Sequence, residues 1–349
     1  MADSIPQPRQ DIPLDQGLVA GGIMRHAVED IASSDREYFE LNCTQLEPGP
    51  FVAPIHFIAA KNAMAYRESY PKKVHTQGEL AGRRFGFGIP VVNKGAKFAG
   101  EEVGFRRLCS AVSGEELDLT AEAGFEWMIV LIDQAKLMAL AEAVRLPENI
   151  LSGLSFGRQG TFFKSSASKV RRFGKTICEK MDQSEAGQLQ LSAEDFESFI
   201  FDGLLGMIGP IELDTGRPPA SVVVRRAIEM ADSLAYHGPV RIVSLCAALR
   251  LSQSTMEKSF KEVFGLTPHL FFRQRYLNLA RLKLIQSRPE ETTVSVIAQQ
   301  HGFTEMGRFA VRYRELFGES PSESLRRQDR STVFIPASLA KCKSLSSNK

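Results

Sequence analysis

The chain has 349 residues, of which 43% are hydrophobic and 24% charged, and its formal net charge is +2. This length is enough for two domains with separate cores, and the composition excludes a wholly disordered chain. The most apolar stretch, WMIVLI at 127–132, has the length of a strand and is far shorter than the roughly 20 residues of a membrane-spanning helix, so no membrane partner is expected.

The N-terminal residues 1–20 are polar and contain three prolines. This composition is unlike that of a secretory signal, which has a basic start and an apolar middle. We therefore expect a flexible arm over 1–20 and a cytoplasmic location.

From about residue 36 to residue 133, short extended runs alternate with Gly, Pro and Asn. Runs of this length and spacing predict an antiparallel β-sandwich or barrel. The runs are YFELNCTQL, FVAPIHFIAA, AMAYRESY, RRFGFGIPVV, GFRRLCSAV and FEWMIVLI.

After Asp133 the apolar residues recur every three or four positions, first over 134–146 and again over 192–209. This period predicts helices that cover the sheet. The mainly-β domain is expected to span residues 21–210. The three prolines of PIELDTGRPPAS then predict an interdomain linker over 211–221.

Basic and acidic side chains are distributed unevenly along the chain. Residues 1–221 contain 23 basic and 30 acidic side chains, whereas residues 222–330 contain 17 basic and 11 acidic ones. A basic C-terminal domain behind an acidic N-terminal domain favours a polyanionic partner for the former. This domain is helical in pattern, and its first helix is predicted to end at Gly238-Pro239. The Ser- and Lys-rich segment 331–349 is expected to be disordered.

The basic domain contains one helical phrase twice: RLSQSTMEKSFKEVFG begins at residue 250, and GFTEMGRFAVRYRELFG begins at residue 302. Each copy has an apolar stripe with helical spacing, which predicts a small core of its own. The stripes pair Met256 with Phe309, Phe260 with Tyr313, and Val263 with Leu316.

The two copies differ by one residue upstream of the stripes, where Cys246 pairs with Ala298 and Ser252 with Thr304. The extra residue of the second copy is therefore expected in the turn or in the first helical turn after Thr304. Ser252 and Thr304 are each well placed to accept an N–H hydrogen bond at the start of a helix. Each copy is predicted to form a helix, a tight turn and a second helix, which is the helix-turn-helix pattern.

Residues 239–327 resemble the DNA-binding domain of the AraC/XylS family of transcription regulators, which has two helix-turn-helix units joined by a long helix. The resemblance rests on LCAALRLSQSTMEKSFKEVFGLTPHLFF, on RQRYLNLARLKLIQS with Arg275, Ala280, Arg281 and Leu284, and on VSVIAQQHGFTEMGRFAVRYRELFGESPSESLR. It implies a multidomain protein with an N-terminal mainly-β sandwich or barrel and a C-terminal all-α double helix-turn-helix domain over 222–330. In this family the N-terminal domain often binds a small effector, mediates dimerisation, or both.

One position departs from the family pattern. Arg250 stands in the turn of the first unit, where the family usually has glycine, while the second unit keeps Gly302. Arginine at this position is expected either to cost about 1 kcal/mol in a left-handed backbone or to force a slightly different turn.

If the apolar stripes face inward, the opposite faces of the two helices are predicted to contact DNA. Glu257 can accept from cytosine, and Lys258 or Arg308 can donate to guanine. The long side chains further along the helices suit phosphates, which add affinity without sequence information. The predicted contacts are Ser254, Glu257, Lys258, Lys261, Met306, Gly307, Arg308, Val311, Arg312 and Arg314. Each of these cations could instead lie on an ordinary solvated face, and Met306 and Val311 could be packing residues.

Other site chemistry is not indicated. His56 and His75 lack metal-ligand spacing, and the five cysteines are far apart, so reduced thiols and no bound metal are expected. The glycines of GFGIP at 86–90, with Gly78 and Gly82, are interpreted as turn residues and not as a phosphate loop. No nucleophile–base motif is visible, so neither an enzyme nor a cofactor is predicted.

Three hypotheses follow. The first is a transcription regulator, acting as an activator, that binds double-stranded DNA and is controlled by a small-molecule effector or by homodimer formation; RNA polymerase is then a further partner. The second is a catalytic barrel fused to a DNA-binding domain. The third is a helical-repeat module that binds another protein and not DNA.

Overall fold

A computed structural model gives the fold of the chain. It describes residues 20–26, 39–148, 150, 161–185, 189, 191–209, 211–212, 219–234 and 240–327. The arm before Ala20, the Gly238-Pro239 helix stop and the tail 331–349 lie outside the described residues.

The N-terminal half is built from strands in two antiparallel sheets. The strands are β1 (Ala20–His26), β2 (Phe39–Gln45), β3 (Ala53–Ala59), β4 (Ala63–Tyr70), β5 (Val74–Leu80), β6 (Arg84–Val92), β7 (Ala96–Phe98), β8 (Glu101–Glu102), β9 (Arg107–Val112), β10 (Glu116–Ala121), β11 (Phe125–Asp133), β12 (Thr161–Lys164) and β13 (Ile211–Glu212). An eight-stranded sheet has the order β1-β3-β4-β11-β6-β9-β12-β13, and a five-stranded sheet has the order β2-β5-β10-β7-β8. The predicted antiparallel sandwich is confirmed.

Three helices cover the outer face of the larger sheet: α1 (Gln134–Ala143), α2 (Ala167–Glu185) and α3 (Ala193–Met207). Strand β11 shows how the layers are divided. Trp127 and Ile129 pack between the two sheets, whereas Met128 and Val130 pack under the helices. Because successive side chains of a strand point to opposite faces, a strand buried on both faces must be apolar throughout, which explains WMIVLI.

The six predicted strands are present, but β5 and β10 of the smaller sheet were not predicted. Strand β5 carries His75 and Thr76, both almost fully buried. Thr76 donates to Cys43 Sγ at 3.4 Å, and His75 Nε2 lies 3.1 Å from Asp118 Oδ1. Buried polar residues that form such hydrogen bonds interrupt the alternation of apolar residues from which a strand is predicted.

The interpretation of GFGIP as a turn is wrong, because Gly86 and Gly88 lie inside β6. A Cβ atom on Gly88 would lie 2.8 Å from Cζ3 of Trp127, so this position is glycine because the indole packs against the backbone. The same interpretation is wrong for Gly78, which lies inside β5, whereas Gly82, with φ of 75°, lies in the bend between β5 and β6.

The C-terminal half is all helical. Its helices are α4 (Pro219–Leu234), α5 (Ile242–Leu249), α6 (Gln253–Phe264), α7 (Pro268–Gln286), α8 (Val294–Gln300), α9 (Met306–Phe317) and α10 (Pro321–Arg326). Strand β13 occupies 211–212 and α4 begins at Pro219, so both overlap the predicted linker 211–221, whose bounds stay a prediction. Among the described residues, no helix is long and apolar enough to cross a membrane.

Candidate nucleic-acid interface

The first helix-turn-helix unit consists of α5, the turn at Arg250 and α6. Arg250 has φ of 53° and ψ of 41°, so the turn keeps the left-handed conformation and the arginine does not force a different one. The turn closes where the N–H of Leu251 donates to the carbonyl of Cys246 at 2.9 Å. Ser252 caps α6 as predicted, since its Oγ accepts from the N–H of Thr255 at 3.0 Å.

The second unit consists of α8, the turn at Gly302 and α9. Gly302 is left-handed, with φ of 82°. The prediction that Thr304 caps the helix is wrong: the N-cap is Glu305, which makes no side-chain capping bond. Its carboxylate instead accepts from Arg308 Nη1 at 3.0 Å. Glu305 is thus the extra residue of the second copy, and it delays the start of α9 by one position.

The apolar stripes face inward, as predicted, with one difference. Met256 and Phe260 of α6 are fully buried, but Val263 is half-buried and Phe264 occupies the core position. Phe264 stacks on Phe271 of α7 with ring centroids 4.4 Å apart. On α9 the buried residues are Phe309, Tyr313, Leu316 and Phe317.

The connecting helix α7 is fixed to both units by two buried arginines. Arg275 Nη2 donates to Asp232 Oδ2 of α4 at 2.7 Å, and Arg281 Nη1 donates to Glu319 Oε1 after α9 at 2.7 Å. The Arg281 guanidinium also lies 4.6 Å from the Phe317 ring centroid. These charges are neutralised inside the domain, so Arg275 and Arg281 hold the units in place and are not free to contact DNA.

Most of the predicted contact residues are exposed, on one face of α6 and one face of α9. The exposed members are Ser254, Glu257, Lys258, Lys261, Gly307, Arg308, Val311 and Arg314. Two differ from the prediction in their surroundings. Met306 is half-buried and packs against the core of the second unit, and Arg312 is half-buried beside a cleft between the units. The side chain of Met306 is therefore at least partly a packing residue.

That cleft was not predicted. Its volume is about 560 Å³, and it lies between the two helix-turn-helix units. Residues of both recognition helices line it, Glu257 from α6 and Arg312 from α9, together with Arg273 of α7. Arg273 and Arg275 are the two arginines of RQR at 273–275. Because residues two apart on a helix point to different faces, the sequence indicated that these arginines have different surroundings.

A second, smaller cavity lies between the two sheets of the N-terminal half and has a volume of about 60 Å³. Its lining is mostly apolar, and the acidic side chain in it, Glu68, is buried. Tyr70 Oη donates to Glu68 Oε2 at 2.7 Å, and Trp127 Nε1 donates to the same oxygen at 3.3 Å. Burial raises the pKa of the Glu68 carboxyl, and these two hydrogen bonds oppose the rise.

Sequence reasoning missed this acid, although a signal was present. In β4, Tyr66, Glu68 and Tyr70 alternate along the strand and therefore face the same side as buried Met64. Among the described residues no group of three or more metal-ligating side chains occurs. His75 is a core residue that packs on Phe264, with ring centroids 4.9 Å apart.

A family model described as a helix-turn-helix domain matches residues 245–327. The matched range contains both units and the connecting helix. The chain carries an AraC-type helix-turn-helix domain at its C-terminus.

Curated relatives of this AraC-type domain are transcription regulators. The chain is 31% identical over 110 residues to a probable thc operon regulatory protein of Rhodococcus erythropolis, covering 32% of this chain and 33% of that protein. It is 36% identical over 78 residues to the XylDLEGF operon transcriptional activator 1 of Pseudomonas putida, covering 22% and 24%. The similarity thus spans a third or less of the length of these relatives.

Among solved structures, the AraC-like transcriptional activator CuxR is 12% identical, with a TM-score of 0.36, over 80% of this chain and 100% of CuxR. An apo ToxT variant from Vibrio cholerae is 11% identical, with a TM-score of 0.29, over 84% of this chain and 98% of that chain.

Proposed function

We propose that the chain is a sequence-specific DNA-binding transcription regulator whose two AraC-type units occupy adjacent major grooves. The observation that carries the proposal is the pair of recognition helices, α6 and α9, which bury their apolar stripes and expose polar faces on a shared rigid connector. The connector has 19 residues, or about 28 Å at 1.5 Å per residue. Successive major grooves on one face of B-DNA are about 34 Å apart, so one chain can reach both.

Electrostatics supports the same proposal. Lys258 and Lys261 of α6 are exposed and, within the described part of the chain, form no ion pair with a carboxylate. Cations that no acid neutralises can release counterions from DNA phosphates, which makes affinity depend steeply on salt. The excess of basic side chains over 222–330 acts in the same direction.

The test is a gel-shift titration of the full chain on genomic fragments over a range of NaCl concentrations. We expect discrete shifted bands whose affinity falls by about 10³-fold or more between 50 and 200 mM salt. A protein-interaction module would show no shift, or weak binding without preference among fragments. DNA binding would also place the protein with the chromosome in the cytoplasm.

We further propose that the sandwich cavity receives a small-molecule effector. The cavity supports this because its lining is mostly apolar and includes one buried carboxyl, that of Glu68. A volume of about 60 Å³ has room for only a few non-hydrogen atoms, so the matching chemistry is a small apolar molecule with an amine or hydroxyl end.

The chain offers its own probe for this proposal. Trp127 is the single tryptophan and lines the cavity, so its fluorescence reports occupancy. Titration with small aromatic and aliphatic amines is expected to change the emission of the wild type and to change it less in Glu68→Gln. An emission that no such compound alters would count against the cavity as an effector site. Control by homodimer formation and contact with RNA polymerase remain predictions.

A further inference from the structure

We propose that the cleft between the two helix-turn-helix units binds the DNA sugar-phosphate backbone that runs between the two major grooves, with Arg273 as its central contact. The inference rests on the proposed DNA-binding function and adds a contact that neither recognition helix supplies by itself. Its basis is the chemistry of the cleft walls and the position of the cleft between α6 and α9.

The walls of the cleft are rich in basic groups that come from both units and from the connector. One acid, Glu257, faces them at the rim on α6. The basic lining residues are Arg241, Arg273 and Arg312, and the imidazoles of His269 and His301 lie in the same walls. A concave surface with this charge balance is complementary to a polyanion, because low-dielectric walls strengthen the attraction.

Arg273 is the arginine of α7 whose charge is not used inside the domain. Arg275 and Arg281 are each bound by a carboxylate, whereas Arg273 forms no ion pair with an acid among the described residues. Its charged neighbour across the cleft is Arg312 of α9. Burial and Arg312 together lower the pKa of Arg273, and Glu315 partly offsets them. Two half-buried cations that face each other are stabilised when an anion lies between them.

Two helix N-termini also open into the cleft. Arg241, at the N-cap of α5, makes no side-chain capping bond. Thr267, the N-cap of α7, accepts from the N–H of Leu270 and lines the cleft wall with Pro268. The partial positive charge at a helix N-terminus favours an anion such as a phosphate. The partial positive charge of these helix ends adds to the charge of the arginine side chains.

The geometry selects the backbone segment between the grooves. Gln253 and Glu257 of α6 form one rim of the cleft, and Arg312 of α9 lines the other side. A duplex that contacts both recognition helices must therefore cross the cleft between them. The part of B-DNA that separates two adjacent major grooves on one face is the minor groove with its two phosphate strands.

The experiment uses the full chain and a duplex selected by the wild type from random sequence. Binding is measured as a function of NaCl for the wild type, Arg273→Gln, Arg273→Lys and a charge-matched control, Arg226→Gln. Arg226 is an exposed residue of α4 that does not line the cleft. Circular dichroism and thermal unfolding check that each variant is folded.

Loss of one phosphate contact is expected to lower the slope of log K against log salt by about 0.9 and to weaken binding several-fold. Arg273→Lys is expected to restore most of the slope, and Arg226→Gln to leave it unchanged. Ethylation of phosphates between the two grooves should interfere with binding by the wild type but not by Arg273→Gln.

A wild-type slope in Arg273→Gln, or a wild type that is indifferent to ethylation of the central phosphates, would overturn the cleft proposal while leaving DNA binding intact. Failure of the wild type to select any duplex would overturn the proposed function, and the cleft proposal with it.

Discussion

Gln45 and Asn278 join the two halves of the chain through a reciprocal pair of hydrogen bonds. The N–H of Gln45 donates to Asn278 Oδ1 at 3.0 Å, and Asn278 Nδ2 donates back to the carbonyl of Gln45 at 3.2 Å. Gln45 Nε2 also donates to the carbonyl of Leu316 at 2.8 Å. Strand β2 of the sandwich is thereby bound to the connector α7 and to the C-terminal end of α9.

The first unit is held to the same sheet by different contacts. The ring of His75 on β5 packs against Phe264 and Phe271, and Lys97 Nζ donates to the carbonyl of Glu262 at 3.2 Å. The smaller sheet therefore contacts both recognition-helix ends, and the relative position of the two units depends on it.

We expect Gln45→Ala to destabilise the full chain by about 1–3 kcal/mol, because it removes the Nε2 donor that is shared by the carbonyls of Glu47, Gly49 and Leu316. Chemical unfolding monitored by circular dichroism measures this loss. Gln299→Ala, at an exposed position of α8, is the control and should change stability by less than about 0.5 kcal/mol. Equal stabilities for the two variants would show that the contact contributes little.

Arg250→Gly is expected to stabilise the DNA-binding domain by up to about 1 kcal/mol, since glycine adopts the left-handed turn without a steric penalty. The reciprocal change, Gly302→Ala, is expected to destabilise the second unit by about 1 kcal/mol or more. Thermal unfolding of both variants checks the pair. A destabilised Arg250→Gly would mean that the arginine side chain makes a contribution larger than the backbone strain.

Substitutions on the recognition helices should distinguish residues that contact base edges from residues that bind phosphates. Arg308→Ala, at the start of α9, is expected to relax base preference at one position of the site, at a cost of about 1–3 kcal/mol for the preferred base. Lys261→Ala, near the end of α6, is expected to weaken binding to all sequences alike and to reduce the salt slope by about 1. Selection from random duplexes followed by sequencing measures both effects. Unchanged preferences and affinities in both variants would contradict the assignment of these helices to the grooves.

The buried carboxyl of Glu68 predicts a pH dependence of stability. Its pKa is raised in the folded state, so folding favours the protonated form. The stabilising contribution is then fully present below about pH 4 and is lost as the pH rises through the folded pKa. Relative to Glu68→Gln, the wild type should lose stability as the pH rises from about 4 to the folded pKa. Urea unfolding at several pH values measures this difference, and Glu79→Gln, at an exposed position, is the matched control for the loss of a carboxyl group.

The sequence alone determined the parts of this protein that depend on local periodicity. The repeated stripe of Met256 and Phe260 and its copy predict two amphipathic helices, and six apolar runs predict six strands. These inferences succeed because burial of one face imposes a period of about 3.6 or 2 on the residues themselves. The conformation at Arg250 was left open between a left-handed backbone and a different turn, and the structure decided for the first.

Only the tertiary structure decided what depends on partners distant in the chain. His75 and Thr76 look polar in the sequence, yet they lie buried in a strand, where His75 Nε2 is within hydrogen-bond distance of Asp118 and Thr76 donates to Cys43. Arg273 and Arg275 are two positions apart and look equivalent, yet Asp232 binds one and the cleft receives the other. A side chain's charge is fixed by its identity, but whether that charge is neutralised or left for a ligand depends on which residues the fold brings beside it.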